Sequence, residues 1–133
     1  MEERHLLSAR RAAELIRAEL DKGDLDFAYR TLMQALSHLR AATTTEEIKD
    51  FMIQPRTTGD MKWDTFLAAS IGRECSQLGV SRPSWTDPEP LATEWHPGTA
   101  ILSEGFKKLI ERNASPFMKH YNIIIRDKDF TTA

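Results

Sequence analysis

Four histidines, one cysteine and two close carboxylate pairs are the residues of this chain whose chemistry reaches beyond packing. His5, His38, His96 and His120 stand too far apart for metal-ligand spacing, and no CxxC or HExxH motif occurs. Each reads as a surface or part-buried side chain, so neither metal nor cofactor is expected. Cys75 would need a base and a lowered pKa to act as a nucleophile. His96 or His120 becomes that base only if folding brings it near. On an apolar helix stripe the thiol reads as a small core side chain. Asp60 with Asp64, and Asp127 with Asp129, have a spacing that suits acid/base work or a magnesium ion. Asp60 is better read as a helix cap, and Asp64 as a first-turn acid favoured by the helix dipole. The six glycines form neither GxGxxG nor GxxxxGK, and there is no GxSxG elbow. The pattern points away from an enzyme.

Binding chemistry has better candidates. Between Ser81 and Gly98 lie Pro83, Pro88, Pro90 and Pro97 together with Trp85 and Trp95. Disordered linkers are poor in aromatics, so this stretch reads as an ordered loop pinned by its indoles. The two tryptophans suit either an interface or a clasp holding the loop to the domain. Residues 103–128 carry six basic side chains (Lys107, Lys108, Arg112, Lys119, Arg126, Lys128) against three acids. A solvated helix face is the simpler reading, with phosphate contact by Lys107, Lys108, Arg112 and Lys119 as the alternative. Over the whole chain 18 basic residues face 20 acidic ones, for a net charge of −2, which lowers the expectation of free-standing DNA binding. The short basic run FMKHYN lacks the partner helix of a helix-turn-helix reader.

These residues must be positioned by helices. Leu6, Ala9, Ala13, Ile16 and Leu20 recur at three and four, widened by Ala12 and Leu15, and Gly23 suits the helix end. Asp24 caps a second helix with Leu25, Ala28, Leu32, Leu36 and Leu39 inward, so residues 1–42 predict a helical hairpin. Thr44 and Glu47 form a capping box before a short helix over 45–53, which Pro55 ends. Asp60 then opens a core helix with Trp63, Phe66, Leu67, Ile71, Cys75 and Leu78 on its apolar face, closed by Gly79. A fifth helix is predicted from Ala100 to Asn113 with Leu102, Phe106, Leu109 and Ile110 inward. Ser115-Pro116 starts a sixth, ending near Tyr121 or Asn122. Ile123 to Ile125 read as a short extended segment without a sheet, and Asp127 to Phe130 as a last helical turn. At 133 residues, 41% apolar and 29% charged, the chain fits one mostly helical domain of five to six helices over 1–133. It divides into 1–42, 43–80, the loop 81–99, and 100–133. The opening MEERHLLSARR reads as neither a secretory signal nor a lipidation site, no apolar run would span a bilayer, and a single cysteine suits a reducing, cytoplasmic setting.

The stretch from Thr58 to Pro97 resembles a helical domain common in actinobacterial proteins of unassigned biochemistry. The resemblance rests on Thr58, Gly59, Asp60, Trp63 and Asp64, then Pro83, Trp85, Thr86, Asp87 and Pro88, then Trp95 and Pro97. The ending is also similar: Lys119, His120 and Tyr121, Asn122, Ile123 to Ile125, and Asp127 to Phe130. With the hairpin at 10–41 the likeness covers most of the chain. Members are often regulator-like, sometimes fused to a helix-turn-helix, and can sit beside nucleotidyltransferase-type toxin genes. The resemblance thus implies antitoxin-like service: a non-enzymatic module that neutralises a partner protein. This chain carries no separate upstream helix-turn-helix, and its basic end is diluted to Lys-His-Tyr, which favours protein over DNA as partner. Trp85, Trp95, Arg126, Asp127, Asp129 and Phe130 are the expected contacts. A transcription-related nucleic-acid-binding module is the alternative.

Overall fold

The computed structural model describes residues 7–97 and 103–130. His5, Leu6, Ala100 and Leu102, used above, lie outside that range. Helix α1 (Ala9–Asp21) starts where the Ser8 hydroxyl accepts from the Arg11 amide, and it buries Ala9, Ala12, Ala13 and Ile16. Three residues later α2 (Leu25–Ala41) starts on Asp24, whose carboxylate accepts from the Phe27 amide at 3.0 Å. The alanines keep the facing surfaces thin, so the two helices pack closely as the predicted hairpin. Leu25, expected inward, is exposed in the first turn of α2, beyond the reach of α1.

Helix α3 (Thr45–Phe51) shows both halves of the capping box. The Glu47 carboxylate accepts from the Thr44 amide at 3.2 Å, and the Thr44 hydroxyl accepts from the Glu47 amide at 3.1 Å. The helix closes at Met52, a residue short of the predicted end, and Ile53 is exposed.

Helix α4 (Met61–Leu78) is the axis of the fold. Every residue from Thr65 to Cys75 is buried, so the helix is covered all round and not on one face as its apolar stripe suggests. The hairpin packs on one side, while the loop after α4 and the C-terminal segment close the others. Leu78 reaches past this cover and is exposed. Gly79 ends the helix at φ 70°, a left-handed conformation that costs glycine nothing.

The loop makes one short 3-10 turn, Ser84–Thr86. Helix α5 runs Glu104–Arg112 from a Ser103 cap, and α6 runs Pro116–Lys119 from a Ser115 cap. Asn122 takes the left-handed position at φ 63°. Ile123, Ile124 and Ile125 are extended and buried, and they find partners on both edges. Trp95 donates its amide to the Asn122 carbonyl and accepts from the Ile124 amide, both at 2.8 Å. On the other edge the Ser115 amide donates to the Ile125 carbonyl at 2.7 Å. These are isolated bridges, Trp95 with Ile123 and Ala114 with Arg126, and no strand forms among the described residues. A 3-10 turn over Asp127–Phe130 follows. The fold is a mostly helical bundle of six α-helices among the described residues, as its sequence predicts.

Candidate functional site

Several of the side chains with reactive chemistry are held by structural contacts. Cys75 is buried in α4, and burial pushes its thiol up from the ordinary value, away from nucleophilic use. His38 accepts from the Leu7 amide through Nδ1 at 2.6 Å, and His96 Nε2 stands 3.6 Å from the Glu111 carboxylate. Asp60 caps α4, accepting from the Lys62 amide at 2.8 Å and the Trp63 amide at 3.2 Å. Asp64 is more than a first-turn acid. One of its oxygens accepts from the Thr58 amide and hydroxyl, each at 2.6 Å, and the other from the Thr57 hydroxyl at 2.5 Å. The Thr-Gly-Asp-x-x-Trp-Asp run is therefore a clasp that folds the preceding loop back on the start of α4. Asp64→Ala leaves the buried Thr58 hydroxyl and amide short of their main acceptor and should cost about 1–3 kcal/mol in a thermal or urea melt. Among the described residues no group of three or more His, Cys, Asp or Glu is gathered as a metal would need.

The two loop tryptophans act as clasps. Trp95 sets its ring edge-on to Trp63 at 5.6 Å and to Phe66 at 5.7 Å, in addition to its backbone bridge to the isoleucine segment. Trp85 donates its indole N–H to the Met52 carbonyl at 3.1 Å, pinning the loop to the end of α3. Half-buried Trp85 also walls a groove of about 280 Å³ beside Pro55 and Pro88.

Arginines finish the tie. The Arg82 guanidinium donates to the Thr86 carbonyl at 2.6 Å and to the Tyr121 hydroxyl, and that hydroxyl donates to Asp87 at 2.5 Å. A second network lies deeper. Glu74 is 1% exposed and accepts from Arg40 at 2.5 Å, with Arg73 at 3.4 Å on the same oxygen. Arg40 also donates to the Phe130 carbonyl at 3.1 Å, and Arg73 pairs with Asp127 at 3.1 Å. Phe130 lies under Arg73, its ring centre 4.3 Å from the guanidinium carbon. These contacts fasten the C-terminal turn to α2 and α4.

The expected contact residues at the C-terminal turn are engaged within the domain. Phe130 is a core side chain, 1% exposed, because its ring fills the space under Arg73. Asp129 accepts three bonds from Arg126, two from its guanidinium at 2.8 and 3.2 Å and one from its amide at 3.1 Å, and Asp127 is exposed but paired. Tyr29, on α2, feels the same corner. Burial first, then the Asp129 charge, raises its phenol to about 12 against some relief from Arg126. A raised folded-state value favours the protonated form, so this contribution is full below the unfolded tyrosine range and is lost as pH rises through about 12. Tyr29→Phe should accordingly flatten the alkaline fall in stability, read as urea midpoints from pH 9 upward.

An exposed apolar pair lies on α5. Phe106 and Leu109, predicted inward, are 39% and 41% exposed, and among the described residues of that face Ile110 alone is buried. The bundle has already spent its apolar faces, so a nine-residue helix at its margin seats one side chain and leaves two outside. The Arg126 guanidinium lies 5.4 Å over the Phe106 ring, and a groove of about 300 Å³ opens beside Leu109, Asn113 and Lys128. Lys107 pairs with Glu104 at 3.8 Å. Lys108 and Arg112 are exposed one turn apart on α5, and Lys119 stands apart on α6. The structure thus groups Lys107, Lys108 and Arg112 with the exposed apolar pair.

No protein-family model, curated protein or solved structure matches this chain. No helix among the described residues is long and apolar enough to cross a membrane.

Proposed function

We propose that this chain is a non-enzymatic protein-binding module of antitoxin-like service, acting in the cytoplasm by neutralising a partner protein such as a nucleotidyltransferase-type toxin. The observation that carries the protein-binding part is the α5 face, where Phe106 and Leu109 stay in water beside a groove. Adjacent large apolar side chains left outside a filled core mark a surface that gains free energy by being covered. The capture of Cys75, Asp60, Asp64 and Asp127 by structural contacts supports the non-enzymatic reading. The antitoxin part rests on the sequence resemblance.

Affinity purification of the tagged chain from its host, with and without nuclease, followed by mass spectrometry, tests this. A stoichiometric protein partner that persists through nuclease treatment is the expected result. Recovery of nucleic acid alone would favour the transcription-related alternative, in which Lys107, Lys108, Arg112 and Lys119 contact phosphate and binding falls steeply with salt.

A further inference from the structure

The α5 surface has a charge pattern that narrows what can cover it. Counting along the helix, Phe106 and Leu109 are three apart and share one side. Lys108 and Arg112, four apart, stand one turn from each other on the solvent side of that pair. Neither makes an ion pair among the described residues. On the inner side the pair meets Arg126 and Lys128 of the C-terminal turn. Arg126 is ion-paired with Asp129, and the exposed Asp127 lines the same groove while pairing with Arg73, so this inner side is close to neutral. The apolar pair therefore has one cationic border, Lys108 and Arg112, on its solvent side.

We infer that this face is the docking site for an acidic amphipathic helical segment of a partner protein. Its apolar residues would cover Phe106 and Leu109 and enter the groove beside Leu109. Two carboxylates one helical turn apart would meet Lys108 and Arg112. This inference rests on the protein-binding reading above and specifies its partner. A nucleic acid would satisfy the cations but leave Phe106 and Leu109 in water. An anionic bilayer would gain little from two half-exposed side chains on nine residues. A second copy of this chain seated on the same face would set Lys108 and Arg112 against their own counterparts.

The test uses the full chain, isotope-labelled for NMR, and a designed helical peptide of about 18 residues, long enough to hold a helix. The peptide carries leucines on one face and glutamates on its flanks. A control has the same leucines and lysine flanks. The acidic peptide should bind with amide shifts centred on Phe106, Leu109 and Asn113. Leu109→Ser and Arg112→Glu should each weaken it about tenfold or more. Both positions are exposed, so the variants should keep the parent melting temperature. Equal binding of the two peptides, shifts centred elsewhere, or no binding of the acidic peptide would overturn the inference. So would a DNA duplex or phosphatidylglycerol vesicle that shifts the α5 amides when the acidic peptide does not. If the Leu109→Ser, Arg112→Glu double variant still captures the cellular partner at full yield, the docking site falls while the protein-binding reading stands.

Discussion

Replacing Glu74 with alanine should cost about 3–5 kcal/mol, read as a lower urea midpoint with an unchanged denaturant slope. Two arginines share its one engaged oxygen, and Arg73 is nearly as buried as Glu74 itself. Removing the carboxylate strands the Arg73 charge in the core with only the exposed Asp127 as counter-ion. It also loosens Arg40, which holds the Phe130 carbonyl. The charge on Glu74 is nevertheless costly to keep. Burial raises its carboxyl above the ordinary range, against the opposing pull of Arg40 and Arg73. A raised folded-state value makes this group's contribution greatest below the unfolded carboxylate range, and it falls as pH rises through the folded value. Glu74→Gln should remove that slope from a stability–pH curve. The two results are consistent: a buried pair can be expensive to form and still more expensive to break.

Gly72→Ala should destabilise by about 1–3 kcal/mol through overpacking. A Cβ at this position would stand 2.6 Å from Arg82 Nε and 2.7 Å from the Thr86 carbonyl oxygen. The arginine end could swing away, but the carbonyl is backbone in the 3-10 turn that the same arginine holds. Relief therefore needs the loop to lift from α4, which breaks the Arg82 bonds to Thr86 and Tyr121. A melt measures the loss. The Trp85 indole N–H resonance, released from the Met52 carbonyl, reports the lifted loop by NMR.

What the sequence reveals is what its local chemistry decides. Asp24, Thr44 with Glu47, Asp60, Gly79 and Ser115-Pro116 all cap helices as their side chains dictate, because a cap needs partners only three residues away. The covered surroundings of α4 were not legible, since burial on every side leaves no periodic stripe to read. Arg73 and Glu74 were missed for the same reason. Their partners lie 34 to 54 residues away in the chain, and nothing local marks a charged pair as buried. The aromatic content of the tryptophan loop marks it as pinned, but the clasping contacts depend on where Met52, Trp63 and Phe66 lie. Phe106 and Leu109 show the opposite failure. Amphipathic spacing identifies an apolar face but does not say whether the bundle has room left for it.

The fastening of the C-terminal turn to α2 and α4 also sets an order of events during synthesis. The hairpin and α4 emerge from the ribosome first, and their contacts are close in sequence and quick to form. Glu74 and Arg73 leave with them, but the residues that complete their surroundings, Asp127 and Phe130, come more than fifty positions later. Until then the growing chain holds a charged pair in a half-built core and keeps the isoleucine-binding side of α4 open to solvent. A bundle whose helices are locally encoded thus closes late, and a nascent chain stalled before residue 127 would present adhesive surface that the finished molecule hides.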